Sequence, residues 1–429
     1  MGVARDVQSM VSDHERLTDA IGIGVLTRLL DRDLVDEVIA AADRQEKRVR
    51  LLPARVVVYY VLALCLFFGD GYEEVMRKLA HGLRAVGSWR SEWKIPTVGA
   101  ISKARMRLGA EPLRLLFDRV AVPMAKRSTP GAWLRGLRIM AVDGVIFNLP
   151  ETEDNEEGFG RCGGKNPAPF PQARVAALVE CGTRAVVAAE IDPWKEQERV
   201  QVARLLHAFE PGMLVLADAG FYSYELWKAA AATGADLAWR VQSELSLPVL
   251  SVLPDGSYLS EVGDPQQKRH NREYERKRRA SGMAVDYIQL RVIEYEIPNR
   301  DGRGEIIRLV TTILEPVEVS AAELAAVYHE RWEEESVFDE IETHIRGGST
   351  VVLRSKHAET VRQEIWALLL THYAIRHLMT EAAEQADIDV DRISFIRSFR
   401  AIRRQVSDQA AFSPRNTSSG DPGSDLRDP

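Results

Sequence analysis

The order of apolar segments in the middle of the chain is the strongest constraint on its fold. Three strand patterns come first, at 137–144, 174–182 and 185–193. A helical pattern then alternates with two further strand patterns, at 213–221 and 235–241. The order of three strands, helix, strand, helix and strand predicts an α/β fold, in which helices flank a mixed sheet.

The remaining segments divide the chain of 429 residues into further parts. We predict an N-terminal arm (1–13), a helical N-terminal domain (14–128), the first part of the sheet domain (129–242), a β-rich insertion (243–315), a second part with C-terminal helices (316–406) and a disordered tail (407–429). Ser320 and Glu323 have capping-box spacing at the start of the first helix after the insertion.

Net charge, cysteine content and hydropathy limit the classes of protein to which this chain can belong. The net charge of −7 argues weakly against a nucleic-acid partner, so local clusters of charge must decide the question. The three cysteines include no C-x-x-C pair, which fits a reducing cytoplasm and no structural zinc. The longest apolar run, at 56–68, is too short to cross a bilayer and predicts a buried helix.

Basic residues mark one helix of the N-terminal domain. The sequence predicts a helix capped at Thr97 and ended by a turn near Gly109. Its basic residues are Lys103, Arg105 and Arg107. They fit a DNA-reading helix-turn-helix or, equally well, a solvated basic face.

Three acids form the candidate chemical site. Asp143 and Asp218 each follow an apolar strand pattern and precede a glycine-containing turn. Sites form at the carboxyl ends of strands in open sheets. If the two strands are neighbours, a helix packed on the sheet could bring Glu335 to both aspartates. Such a carboxylate set suits Mg²⁺ or Mn²⁺. The alternative is two solvated turn aspartates and a structural pair of Arg331 with Glu335.

The segment YHERWEEESVFDEIETHIRG (328–347) predicts one helix that ends at Gly347. The spacing places four of its residues on one face: Tyr328, Arg331, Glu335 and Glu342. Other acids of the helix are expected to face water, namely Glu330, Glu333 and Glu340.

This segment resembles the helix signature of DDE insertion-sequence transposases of the IS-four group, which consists of Tyr, two residues, Arg, three residues, Glu, six residues and Lys. Tyr328, Arg331 and Glu335 match it, whereas Glu342 stands in place of the lysine. AVDG and LADAGFYSYELW resemble the segments that carry the family's two aspartates. The resemblance extends from about residue 14 to 406.

The resemblance implies a ribonuclease-H-like catalytic core interrupted by a β-rich insertion, with a DNA-binding N-terminal domain. It implies that Asp143, Asp218 and Glu335 bind two Mg²⁺ (or Mn²⁺) ions, and that Tyr328 and Arg331 hold DNA phosphates. The expected function is cut-and-paste transposition, with cleavage at the element's ends and joining to target DNA. We expect double-stranded DNA as the partner, a homodimer on DNA, and a bacterial cytoplasmic location.

Glu342 reverses the charge of the family's lysine. We predict that it repels a phosphate near the scissile bond; the alternative is a pair with Arg346, four residues on. Trp239 is expected in the core rather than stacked on a base.

The densest basic run lies at 266–279, with seven lysines or arginines and two glutamates. It predicts phosphate contacts, with a solvated loop as the alternative. The predicted contacts are Lys268, Arg269, Arg276, Lys277, Arg278 and Arg279.

Two other functions fit the same residues. A nuclease with this fold would cut DNA but never join strands. A decayed copy would only bind DNA, and its binding would not need the three acids.

Overall fold

The structure is a computed structural model that describes residues 23–48, 50–85, 95–163, 167–264, 287–298, 304–333 and 337–407, without the side chains of 81–85, 331–333 and 407. The predicted N-terminal arm and the tail from residue 408 onward therefore lie outside the described residues. The chain divides into two compact units. The first comprises Met1–Val120, Glu359–Ile375 and Ile393–Pro429, and the second comprises Ala121–Ala358 and Arg376–Arg392.

The predicted helices and strands occur in the predicted order, and the short strand Trp133–Leu134 and the helix Glu153–Phe159 are additional elements that the sequence analysis did not predict. The helices are α1 (Arg32–Ala41), α2 (Ala54–Leu66), α3 (Tyr72–Ala85), α4 (Val98–Leu108), α5 (Glu111–Val120), α6 (Glu153–Phe159), α7 (Glu198–Leu205), α8 (Tyr224–Ala231), α9 (Ala321–Glu333), α10 (Val337–Asp339), α11 (Ala358–Ala386) and α12 (Phe395–Ser407). The strands are β1 (Trp133–Leu134), β2 (Leu137–Asn148), β3 (Gln172–Glu180), β4 (Ala185–Pro193), β5 (Met213–Ala217), β6 (Asp236–Arg240), β7 (Ser251–Val252), β8 (Tyr258–Gly263), β9 (Tyr287–Pro298) and β10 (Gly304–Thr311). Turns of 3₁₀-helix lie at Gly24–Arg28, Leu206–Ala208 and Val390–Arg392, and a π-helical segment covers Glu340–Ile345.

The first unit is helical. Helix α2 is the predicted buried helix, since every residue except Arg55 is buried. No helix in the described part of the chain is long and apolar enough to cross a membrane. Helix α4 begins as predicted, with the Thr97 side chain accepting a hydrogen bond from the Ala100 amide at 3.3 Å. It ends at Gly109, whose φ of +72° favours glycine.

A mixed sheet organises the second unit. Its strand order is β4-β3-β2-β5-β6-β10-β9-β8-β7, with β1 paired to β2. Strand β3 is antiparallel to β4 and β2, whereas β2, β5 and β6 run parallel to one another. Helices α7 and α8 make the crossover connections that parallel neighbours require. The predicted mixed sheet with flanking helices is thus present.

Alternate side chains of the central strands enter two different apolar clusters. One cluster holds Met140, Val142 and Val215 together with residues of α7 and α8, such as Trp227. The opposite cluster holds Ile139, Ala141, Leu214 and Leu216 together with Leu324 and Tyr328 of α9. Because strand side chains alternate between faces, α9 packs on the face opposite α8.

The predicted β-rich insertion contributes β7 to β10, and these strands continue the central sheet. Strand β10 pairs antiparallel with β6, with Val310 opposite Trp239. Strands β9, β8 and β7 follow outward from β10. The strand prediction is confirmed, and the insertion shares the sheet of the core.

Helix α9 begins with the predicted capping box. The Ser320 amide donates to Glu323 Oε2 at 3.0 Å, and the Glu323 amide donates to Ser320 Oγ at 3.3 Å. Past the undescribed residues 334–336, α10 leads into the π-helical segment, which ends before Gly347 with its φ of +92°. The predicted end of the helix is confirmed, but the predicted regular α-helix changes to a wider π-helical turn.

Candidate active site

Asp143 lies on β2, and Asp218 directly follows β5, the parallel neighbour of β2. The last registered pair of the two strands is Ala141 with Leu216. Each aspartate therefore lies two residues beyond that pair. Neighbouring strands lie about 4.8 Å apart. Both aspartates thus lie near the end of the parallel pairing, and the proximity of their carboxylates remains a prediction.

Strand alternation assigns Asp143 to the α9 face of the sheet. Asp143 lies two residues after Ala141 on β2, so the two residues share a face, and Asp218 lies two residues after Leu216, just past the end of β5. Ala141 and Leu216 are in the cluster that contains Tyr328 of α9. Each aspartate is half-buried, so the pair lies beside the packed helix and still reaches the surface.

Local backbone amides orient the two carboxylates. Asp143 Oδ1 accepts a hydrogen bond from the Gly144 amide at 2.8 Å, and Asp218 Oδ1 accepts one from the Ala219 amide at 2.7 Å. Paired carboxylate oxygens are the ligands that Mg²⁺ and Mn²⁺ prefer. The donor set therefore fits a hard divalent cation. Within the described ranges no group of three potential metal ligands occurs.

The predicted strand end at Asp143 is wrong. Strand β2 continues from Asp143 to Asn148, because β3 pairs with it throughout, including Gly144 with Ala176. What ends near Asp143 is the parallel pairing with β5. For Asp218 the prediction is confirmed, since β5 ends at Ala217.

Glu335 lies outside the described residues, as does the side chain of Arg331. Tyr328, on the same predicted face, is described, and only 2 % of its surface is exposed. Its burial argues against the predicted phosphate contact. Tyr328 instead helps to fix α9 on the aspartate face.

Glu342 is paired with Arg346, as the alternative interpretation had it. The Arg346 Nη1 donates to Glu342 Oε1 at 3.4 Å, and burial of the carboxyl group raises the pKa of Glu342 while Arg346 opposes that shift. The Arg346 guanidinium also lies 4.7 Å from the ring centre of Phe147. Phe147 shares the face of Asp143, four residues away on β2.

The expectation that Glu340 faces water is wrong. Only 2 % of Glu340 is exposed, and it is ion-paired to Arg376 and Arg184. No local sequence signal marks this burial, since both arginines come from distant segments.

Two family models match the chain. The model of the transposase DDE domain matches residues 134–373, which is more than half of the chain, and the model of the insertion element 4 transposase N-terminal region matches residues 20–118. The chain belongs to the DDE transposase family. This confirms the family, the enzyme class and the function expected from the motifs: the protein is a DNA-cleaving transposase of the insertion-sequence-four group.

Three known proteins resemble this chain to different extents. The transposase is 26% identical to the transposase InsG for insertion sequence element IS4 of Escherichia coli (strain K12) over 389 residues, which cover 90% of this chain and 83% of that protein. It is 27% identical to the putative transposase InsZ of the same organism over 195 residues, covering 45% of this chain and 62% of that protein. A structure of the piggyBac transposase synaptic complex with hairpin DNA aligns with a TM-score of 0.46 and 9% identity, covering 92% of this chain and 81% of that chain.

The basic residues of α4 in this transposase differ in their surroundings. Lys103 is exposed. Arg105 is 2 % exposed and donates hydrogen bonds to Gln363 Oε1 at 2.8 Å and to the Tyr72 hydroxyl at 2.6 Å. Arg107 is half-buried and donates to the Leu52 carbonyl at 3.0 Å. Burial lowers the pKa of Arg107. Arg105 thus fits neither a solvated face nor a DNA contact.

Trp239 and the basic run are the remaining residues for which the sequence made predictions. Trp239 is fully buried and makes an edge contact with Trp227, with ring centres 5.4 Å apart. Its predicted place in the core is confirmed. The basic run from Lys268 to Arg279 lies outside the described residues.

Proposed function

We propose that Asp143, Asp218 and Glu335 together form one metal-binding active site. In this proposal the transposase uses the site to cut DNA at the ends of its element and to join the freed end to a target. The observation that carries the proposal is the register of β2 and β5, whose last pair, Ala141 with Leu216, lies two residues before each aspartate. Membership of the DDE transposase family implies, in general terms, that the enzyme depends on a divalent metal ion.

Packing on both sides of Glu335 supports its inclusion. Tyr328, seven residues before it, belongs to the cluster of Ala141, and Arg346, eleven residues after it, lies over Phe147. Ala141 and Phe147 flank Asp143 along the same face of β2, and about 20 Å separates them at the usual rise of a strand. Described residues on either side of Glu335 thus contact the strand that carries Asp143, which supports the proposal that Glu335 belongs to the same site.

The strand order supports a ribonuclease-H-like core. The first three strands of the core form an antiparallel set, β4-β3-β2, and the fourth and fifth, β5 and β6, extend it in parallel on the other side of β2. This is the arrangement that the family resemblance implies. The acids then lie on the central strand and on its parallel neighbour.

The chemistry of the proposed site is phosphodiester hydrolysis followed by transesterification. Two Mg²⁺ or Mn²⁺ ions, when bound, would supply the Lewis acid that activates the attacking oxygen and stabilises charge on the leaving oxygen. Water oxygen bonds to phosphorus, the bond to the 3′ oxygen breaks, and that oxygen takes up a proton. The oxygen of the freed 3′ hydroxyl then loses its proton and bonds to a phosphorus of target DNA, or of the opposite strand where a hairpin forms. The bond from that phosphorus to its own 3′ oxygen breaks, and this oxygen takes up a proton. Asp143 and Asp218 would hold the ions through their carboxylate oxygens.

The proposed DNA contacts are basic residues, separate from the three metal-binding acids. Arg331 would hold a phosphate near the metals, Lys103 would contact DNA from α4, and the run from Lys268 to Arg279 would contact the backbone more broadly. Neutralising Arg276, Lys277, Arg278 and Arg279 should flatten the salt dependence of binding. We further propose a homodimer on DNA and a cytoplasmic location, in line with the bacterial relatives.

The test combines cleavage with binding. Asp143→Asn, Asp218→Asn and Glu335→Gln should each abolish Mg²⁺-dependent cleavage of element ends, while binding in EDTA persists. Glu330→Gln is the matched control, because Glu330 is an exposed acid on α9, and it should cut at the wild-type rate. Cleavage at the wild-type rate by any of the three variants would remove that residue from the site. A strand-joining assay then separates transposition from simple nuclease action.

A further inference from the structure

Helix α12 carries two opposite faces. Its apolar residues Phe395, Phe399, Ile402 and Val406 are buried and recur at helical spacing. Its arginines Arg397, Arg400 and Arg404 are exposed. Steps of three and four residues place these arginines on one face, in a row about 10 Å long. We call these three residues the arginine row.

No acid neutralises the arginine row within its own segment. Residues 392–407 contain five arginines and neither aspartate nor glutamate. In the described part of the chain, no side chain forms an ion pair with Arg397, Arg400 or Arg404. A concentration of unpaired positive charge is unexpected in a chain with a net charge of −7.

Other exposed arginines of the same unit show the contrast. Arg77 is paired with Glu73 at 3.6 Å, Arg114 with Glu111 at 2.6 Å and Arg119 with Glu37 at 3.3 Å. These three arginines have acidic partners, whereas the charge of the arginine row remains available to an external anion.

The neighbourhood of α12 adds to the positive surface. The 3₁₀ turn Gly24–Arg28 packs closely against α12: a Cβ at Gly24 would lie 3.3 Å from the Gln405 backbone. This turn ends in the exposed Arg28. Arg403 has another role, because its guanidinium lies 5.2 Å from the ring centre of Phe67 and helps to hold α12 in place.

We propose that the arginine row of α12 is a DNA-backbone-binding surface of the transposase. Guanidinium groups bind phosphate oxygens with two hydrogen bonds. One DNA strand presents a phosphate about every 3.4 Å of helix axis, so a 10 Å row faces about three phosphates. Membrane lipid is disfavoured as the partner because the apolar face of α12 is buried. The proposal rests on DNA as the partner of this transposase and not on the assignment of the three acids.

The experiment measures binding of full-length protein to a double-stranded element end in EDTA, so that cleavage does not contribute. Fluorescence anisotropy is recorded between 50 and 200 mM salt for wild type and for the triple variant Arg397→Gln, Arg400→Gln, Arg404→Gln. The slope of log affinity against log salt should fall by about 2.7 for the triple variant. The single variant Arg400→Gln should lower it by about 0.9.

The matched control is the triple variant Arg77→Gln, Arg114→Gln, Arg119→Gln. It removes the same charge from exposed positions of the same unit, and it should leave the slope near that of wild type. Equal slopes in wild type and in the folded arginine-row variants would overturn the proposal. So would an effect of the control as large as that of the arginine row, since total charge alone would then govern binding. A change in oligomeric state at an unchanged slope would assign the row to a protein contact instead and would likewise overturn the proposal.

Discussion

Arg376 donates a hydrogen bond from Nε to Oε2 of Glu340 at 2.9 Å, and neither residue is more than 2 % exposed. Arg184 approaches Glu340 Oε1 at 3.5 Å and also pairs with Asp391 at 3.1 Å. The buried carboxylate thus binds two guanidinium groups from separate parts of the second unit. Because Glu340 follows Glu335 by five residues, this cluster anchors the segment that leads away from the proposed catalytic glutamate.

Glu340→Ala should lower the free energy of unfolding by about 3–5 kcal/mol, because it leaves buried guanidinium groups uncompensated. Urea unfolding of the second unit, followed by tryptophan fluorescence, measures the change. The double variant Glu340→Leu, Arg376→Met should lose less than the single variant, since it removes both buried charges. A single variant as stable as wild type would contradict the anchoring role.

Glu342→Lys should destabilise the second unit by about 3 kcal/mol, because it places a cation beside the buried Arg346 guanidinium. Glu342→Gln should cost about 1 kcal/mol, the worth of an ordinary hydrogen bond. Neither variant should tighten end binding. Glu330→Lys makes the same charge change at an exposed position and should leave stability unchanged. Tighter binding by a stable Glu342→Lys protein would restore the phosphate interpretation.

The capping box of α9 should make stability depend on acid pH. Hydrogen bonds from Ser320 and from Arg135 lower the pKa of Glu323 to about 2. The pKa of Glu323 is lower in the folded protein than in the unfolded chain. Glu323 therefore adds to the free energy of unfolding above the usual glutamate pKa, and this contribution is lost as pH falls towards 2. Glu323→Gln should therefore weaken the dependence of unfolding on pH below about 4.5. Urea midpoints at pH 5, 4 and 3 test this, and parallel curves for both proteins would refute it.

Gly182→Ala should destabilise the turn between β3 and β4 by about 1–3 kcal/mol, because its Cβ would overlap neighbouring atoms. That Cβ would lie 2.7 Å from the Ala132 nitrogen and 2.8 Å from its Cα. Gly163→Ala is the control, since a Cβ there meets no described atom within 4 Å. Melting temperatures of both variants give the comparison, and equal values would show that the turn shifts at little cost.

Local patterns were sufficient to predict most of the elements. Short apolar runs identified β3, β4 and β5, and helical patterns identified α7 and α8. Whether the strands that carry or precede Asp143 and Asp218 are neighbours was left open by the sequence, and the structure shows their parallel pairing. Thr97, Gly109, Ser320 and Gly347 marked helix ends through local chemistry that needs no tertiary partner.

Contacts between distant segments account for the failures. Gly144 suggested a turn, but its neighbour Ala176 keeps β2 extended. Arg105 suggested a surface, but its partner Gln363 lies 258 residues away in the sequence. The strands of the insertion were recognisable from composition, whereas their junction with β6 depends on a pairing that no local pattern specifies.

The pairing of β6 with β10 affects how the chain folds while it is being translated. Arg240 of β6 pairs with Leu309 of β10, so one edge of β6 stays bare until roughly 70 further residues have left the ribosome. At about 5–20 residues per second, this interval lasts about 3–14 seconds. During that time β6 presents an unpaired backbone edge, which is the state most prone to strand pairing between nascent chains. The yield of active transposase in the cell should therefore depend on translation speed across the insertion.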